Sequence, residues 1–222
     1  MSGASLLLLG DGRLPSGGHA HSGGLEEAVN AGRVRDVASL EGFLRGRLTT
    51  TGLAAAALAA TSCSGAHSWE VLEAEADART ASPALRESSR RQGRQLLRTG
   101  LVLWPGPVLH GLAAASGPAG PHHPVALGAV GRAAGLSPAD AALVAAHGAV
   151  AGPASAAVRL LSLDPVATYA LLARLGTEVD ATAARASGLA GGPLASLPCL
   201  TAPLLDIGAE SHALREVALF AS

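Results

Sequence analysis

Two histidines, His19 and His21, stand one residue apart in LPSGGHAHSGGLEEA (Leu14 to Ala28), with a glycine pair on each side. Imidazoles at i and i+2 share a direction only on an extended strand, where both can ligate one metal ion. A small metallohydrolase built on that pair would need further His or Asp ligands carried by a strand scaffold. The other histidines, His67, His110, His122, His123, His147 and His212, stand in helix or loop contexts. His19 and His21 are therefore candidates for transient metal contact or for a structural, partner-facing turn. His122 and His123, closing a Pro-rich stretch, read as solvated. The flanking Gly17, Gly18, Gly23 and Gly24 suit positive φ and close chain approach.

Other chemistries are closed by residue type. All 16 basic residues are Arg, which removes Schiff-base lysines and the phosphate-loop lysine. No Gly-x-Ser-x-Gly elbow is present, and Ser22 lacks the strand-to-helix setting that such a nucleophile needs. A net charge of −1 supplies no basic face for nucleic acid. Cys63 and Cys199 are too few and too distant for a disulfide framework and read as buried thiols. Arg86, Arg90, Arg94 and Arg98 recur every four residues beside Arg91, and only Arg91 has an obvious partner in Glu87. The stripe either pairs with neighbouring helices or meets an acidic partner protein. Ser88, Ser89, Gln92 and Gly93 form a small-residue patch on which another helix could approach closely.

The elements that must position these residues read as helices. Hydrophobic residues make up 49% and aromatic residues 2%, so the interior is Ala, Leu and Val, which favours helices over strands. Leu25 to Ala31 makes a short helix with Glu26 and Glu27 in its first turn and Gly32 as its stop. A longer helix starts near Asp36 or Ser39, with Leu40, Phe43, Leu44 and Leu48 on one stripe. His67 to Ala78 is amphipathic, with Glu70, Glu73 and Asp77 on its polar side. Ser82 caps a helix of about 17 residues that begins at Pro83 and stops at Gly100.

Trp104 to Pro124 holds five Pro and four Gly and reads as a surface loop. Ser137, Pro138 and Asp140 open a helix that ends at Gly152 and Pro153. Two helical runs meet at Asp164 and Pro165, Arg159 sits among Val158, Leu160 and Leu161 where a charge needs a partner, Thr177 to Leu189 is helical, and Leu204 to Leu219 is the last helix. No run approaches the ~20 apolar residues of a membrane span, and the N-terminus lacks a signal-peptide pattern. The expectation is an all-α, single-domain bundle of about eight to ten helices over residues 1–222, in the cytoplasm.

Four blocks in order resemble the urease accessory protein UreF family. They are LLLLGDGRLPSGGHAHSGGLEEAVNAGRV, ESSRRQGRQLL, SAAVRLLSLDP and LLDIGAESHALREVALFAS. The matching regions run from Leu6 to Leu48, Ser82 to Trp104, Ser155 to Leu175 and Leu204 to Ser222.

The resemblance implies an all-α, non-catalytic factor that dimerises and joins a UreD/UreH-type accessory protein and the GTPase UreG to load nickel into apo-urease. No tightly bound cofactor, nucleic acid or membrane is implied; nickel is handled transiently. By position, Pro15, Gly17, His21, Ser22, Gly24, Leu25 and Glu26 form the signature turn. Ser89, Gln92, Gly93 and Arg94 form the helix block, Arg159 the third block, and Phe220 and Ser222 the docking tail. His19 stands where the family more often has an aromatic residue, so the resemblance gives it no metal role. Ala221 replaces a frequent Arg, whose ion pair would be lost or supplied from elsewhere, Arg215 being the candidate.

Overall fold

The computed structural model describes residues 3–16, 21–215 and 219–220, and these carry helices and no strand. In chain order they are α1 (Gly3–Gly10), α2 (Leu25–Asn30), α3 (Val37–Arg47), α4 (Leu53–Ser64), α5 (Trp69–Ala78) and α6 (Pro83–Leu103). There follow α7 (Pro107–Ser116), α8 (His123–Ala133), α9 (Pro138–Leu161), α10 (Pro165–Ser187) and α11 (Pro203–Ala213). A π-turn, Leu48–Gly52, joins α3 to α4 without a break.

Start signals acted as physical chemistry requires. Asp36 and Ser39 form a reciprocal cap on α3, Ser82 caps α6, Ser137 and Asp140 cap α9, and Asp164 caps α10. Pro165 thus opens a new helix instead of bending an old one.

The centre is α4 against α8, α9 and α10. Ala56, Ala57, Ala59 and Ala60 of α4 are fully buried, the signature of a helix apolar all round. Small side chains let backbones nearly touch: a Cβ on Gly128 of α8 would stand 2.2 Å from the Ala59 carbonyl oxygen. Leu40, Leu44 and Leu48 bring the α3 stripe into the same core. On the outside, α6 packs on α8, α7 on α5 and α8, and α11 on α2 and α6.

Several expectations are corrected. The stretch 104–124 is no continuous loop: it contains α7, because Pro107 fits a first helical position and Leu109 and Leu112, one turn apart, are buried. Gly100 does not end α6, which runs on to Leu103; it lets α8 approach, since a Cβ there would lie 2.6 Å from Val130 Cγ2. Pro153 does not end α9 but lies inside it.

At 24 residues α9 is also long and apolar enough by length and composition to cross a membrane, contrary to the sequence reading. Half of its apolar window is buried within the fold, against α3, α4, α8 and α10, which makes it a core helix of the bundle. The last helix stops at Ala213, and Cys199 is exposed while Cys63 is buried.

Candidate functional site

The signature turn is built around backbone that only glycine enters easily. Gly23 and Gly24 have φ of 62° and 87°, and a Cβ on Gly24 would lie 2.9 Å from Leu205 Cδ2 of α11. The turn delivers Ser22 and Leu25 into the interior, both fully buried, and the Ser22 hydroxyl accepts the Glu26 N–H at 3.2 Å.

Glu26 is buried and receives three donors from the other end of the chain. His212 Nε2 lies 2.9 Å from Oε2, the Leu219 N–H donates to Oε1 at 2.8 Å, and the Phe220 N–H donates to Oε2 at 3.1 Å. Burial alone would raise the Glu26 pKa, but the His212 hydrogen bond and the two backbone donors outweigh it and hold the carboxyl below its usual range. Phe220 is buried, and the Arg159 guanidinium carbon stands 4.3 Å from its ring centroid, a cation–π distance. Beside it, Arg215 pairs with Glu27 at 2.8 Å. Three of the four blocks therefore converge on one cradle, with the Arg215–Glu27 ion pair beside it.

The helix block joins the same turn from the other side. Ser88 Oγ lies 3.3 Å from His21 Nδ1, and Gln92 Nε2 donates to Ser88 Oγ at 3.4 Å. The Pro15 carbonyl accepts from Gln95 Nε2 at 3.0 Å and from Thr99 Oγ1 at 2.7 Å. What approaches Gly93 is the chain entering α8: a Cβ there would sit 2.0 Å from the Pro121 carbonyl oxygen. Arg94 donates to the Ala119 carbonyl. Gly17, His19 and Ser222 lie outside the described residues.

The Arg stripe is largely answered from within. Arg90 reaches Glu73 at 3.0 Å and Asp77 at 2.8 Å, and Arg86 donates to the Thr80 and Ala81 carbonyls at 2.7 and 3.0 Å. Glu73 is accordingly buried rather than on a solvated face, and burial pushes its pKa up. His122 is not solvated either. It is fully buried, with Nε2 at 2.8 Å from Asp77 Oδ1 and Nδ1 at 3.0 Å from Ser89 Oγ. Burial lowers its pKa, the Asp77 hydrogen bond opposing. For His123, burial first and the neighbouring His21 second bring the pKa down to about 4.

Sequence reasoning missed Glu27, Asp77, His212 and Arg47 as members of this assembly. Their partners are remote in sequence, so no local spacing announces them. Among the described residues no cluster of three or more His, Cys, Asp or Glu side chains is placed to hold a metal ion. His21 instead faces α6, and the metallohydrolase alternative gains no ligand set from the described residues.

A family model described as UreF matches residues 34–176. A protein of Mycolicibacterium vanbaalenii named urease accessory protein UreF is 46% identical over 222 residues, covering 99% of this chain and 98% of that protein. The protein of that name in Mycobacterium marinum is 44% identical over 220 residues, with 99% and 98% covered. In Mycobacterium tuberculosis strain H37Rv it is 41% identical over 219 residues, with the same coverage. The chain belongs to the UreF family of urease accessory proteins, non-catalytic factors of urease maturation.

Proposed function

We propose that this chain bridges a UreD/UreH-type accessory protein and the GTPase UreG, in a cytoplasmic complex that delivers nickel, as cargo, to apo-urease. A homodimer within that complex is part of the proposal, as is the absence of a resident cofactor, nucleic acid or membrane. The observation that carries it is the anchored tail and the apolar face beside it. With α11 held against α2 and α6, Leu204, Ile207, Leu214 and Leu219 remain 61%, 64%, 87% and 77% exposed. Leu204 and Ile207 lie one turn apart on α11 and Leu214 follows directly on its end, so together they offer exposed apolar surface that a protein partner would bury. The signature turn, whose side chains are spent on internal bonds, serves by holding this surface in place.

Co-purification with the two accessory partners, with and without nucleotide, tests the reading. The wild-type chain is expected to capture the UreD-type partner and to recruit the GTPase only when both are present. An Ile207→Glu, Leu214→Glu double variant should keep its melting midpoint yet lose about 2 kcal/mol or more of partner affinity, the scale of an interface hot spot. Unchanged capture would remove this face from the interface. Deleting Phe220 to Ser222 is expected to weaken assembly through the tail.

A further inference from the structure

Helix α9 carries a proline in its interior. Pro153 has no N–H, so the carbonyl four residues earlier, that of Ala149, loses its helical donor. Arg47 supplies a replacement: its Nε donates to the Ala149 carbonyl at 3.0 Å. The same guanidinium donates through Nη1 to the Gly23 carbonyl at 2.8 Å. One planar fork therefore ties α9 to the turn that leads into Glu26.

The fit is close on every side. A Cβ on Gly23 would lie 3.1 Å from both Arg47 Cζ and Pro153 Cγ, and one on Gly52, in the π-turn that follows Arg47, would lie 3.1 Å from Ala149 Cβ. Burial draws the Arg47 pKa down to about 10, which leaves the side chain charged and able to donate at neutral pH. A neutral apolar residue of similar length would fill the space and leave two carbonyls without this donor.

We infer that Arg47 is the positioning residue of the docked tail. By answering the carbonyl that Pro153 leaves open together with that of Gly23, it fixes the turn against α9 and places Glu26 where Leu219 and Phe220 bind. Its bearing on assembly rests on the proposed partner surface; its bearing on the tail does not.

Hydrogen exchange on the full chain tests it, read at the Leu219 and Phe220 amides and, as a control, at the amides of α4. In Arg47→Met the two tail amides are expected to lose protection by at least about tenfold, well beyond any change in α4. Adding Pro153→Ala returns an N–H to the Ala149 carbonyl. The double variant should recover much of the lost melting midpoint while its tail amides stay unprotected, because the Gly23 contact is still missing. A purely helical repair role predicts that both recover together, and that result would overturn the inference. So would wild-type tail protection in Arg47→Met. If the single variant does not fold, the double variant carries the same readout, and a protected tail there has the same meaning. Failure of the wild-type chain to capture its partners would count against the proposed function alone.

Discussion

A carboxylate that accepts three hydrogen bonds cannot become its amide without turning one acceptor into a donor. Glu26 meets His212, Leu219 and Phe220 in this way, and each bond to an ionised group contributes about 1.5–3 kcal/mol. Glu26→Gln keeps the shape but sets an NH2 against N–H donors, so the tail should loosen by about 2–3 kcal/mol while the core stays folded. Limited proteolysis near Leu219 measures this directly, and cleavage at the wild-type rate would show that the carboxylate does not hold the tail. From the sequence, Glu26 could be read as a first-turn anion at a helix N-terminus. Its second duty, holding the tail, was not legible, because His212 stands 186 positions away. Arg159 was readable as a charge that needs company, although the Phe220 ring that provides some of it was not.

At the level of elements, glycines separate into those that permit contact and those that only weaken a helix. A Cβ on Gly93 or Gly128 would meet backbone oxygen at 2.0 or 2.2 Å, whereas one on Gly148 of α9 would meet nothing within 4 Å. Gly93→Ala and Gly128→Ala should each destabilise by about 1–3 kcal/mol or more, since backbone cannot move aside as a side chain can. Gly148→Ala should stabilise by about 0.5–1 kcal/mol through helix propensity alone. Thermal melts of the three variants give the sign of each, and equal behaviour would refute the close α4–α8 approach. The same distinction explains what was legible. Ser, Asp and Pro at helix starts act through bonds within four residues, so Asp36, Ser82 and Ser137 announced their helices, while Asp164 and Pro165 read equally as a start or a kink. Gly100 and Pro153 looked like stops because their compensation is tertiary: Val130 for the first, Arg47 for the second.

Across the whole molecule, separated blocks are bound by buried polar groups, so acid should act on the fold as a unit. His122 and His123 mark the start of α8, where it meets α6 through Ser89, and His122 meets α5 through Asp77. Both imidazoles are held below the ordinary histidine pKa of 6.5, His123 at about 4. The unfolded chain therefore binds more protons over that interval, and stability falls as pH drops below about 6.5. For His123 the loss continues to about pH 4 and amounts to at most about 3–4 kcal/mol. Glu26 and Asp77, whose pKa values are lowered, lose their contribution only as pH falls through the carboxylate range, while Glu73, whose pKa is raised, is relieved by protonation there. Denaturant titrations at pH 7.5, 6 and 5 should thus show a decline that belongs to the histidines. His123→Gln, which cannot titrate, should flatten much of it, and an unchanged slope in that variant would place the acid sensitivity elsewhere in the fold.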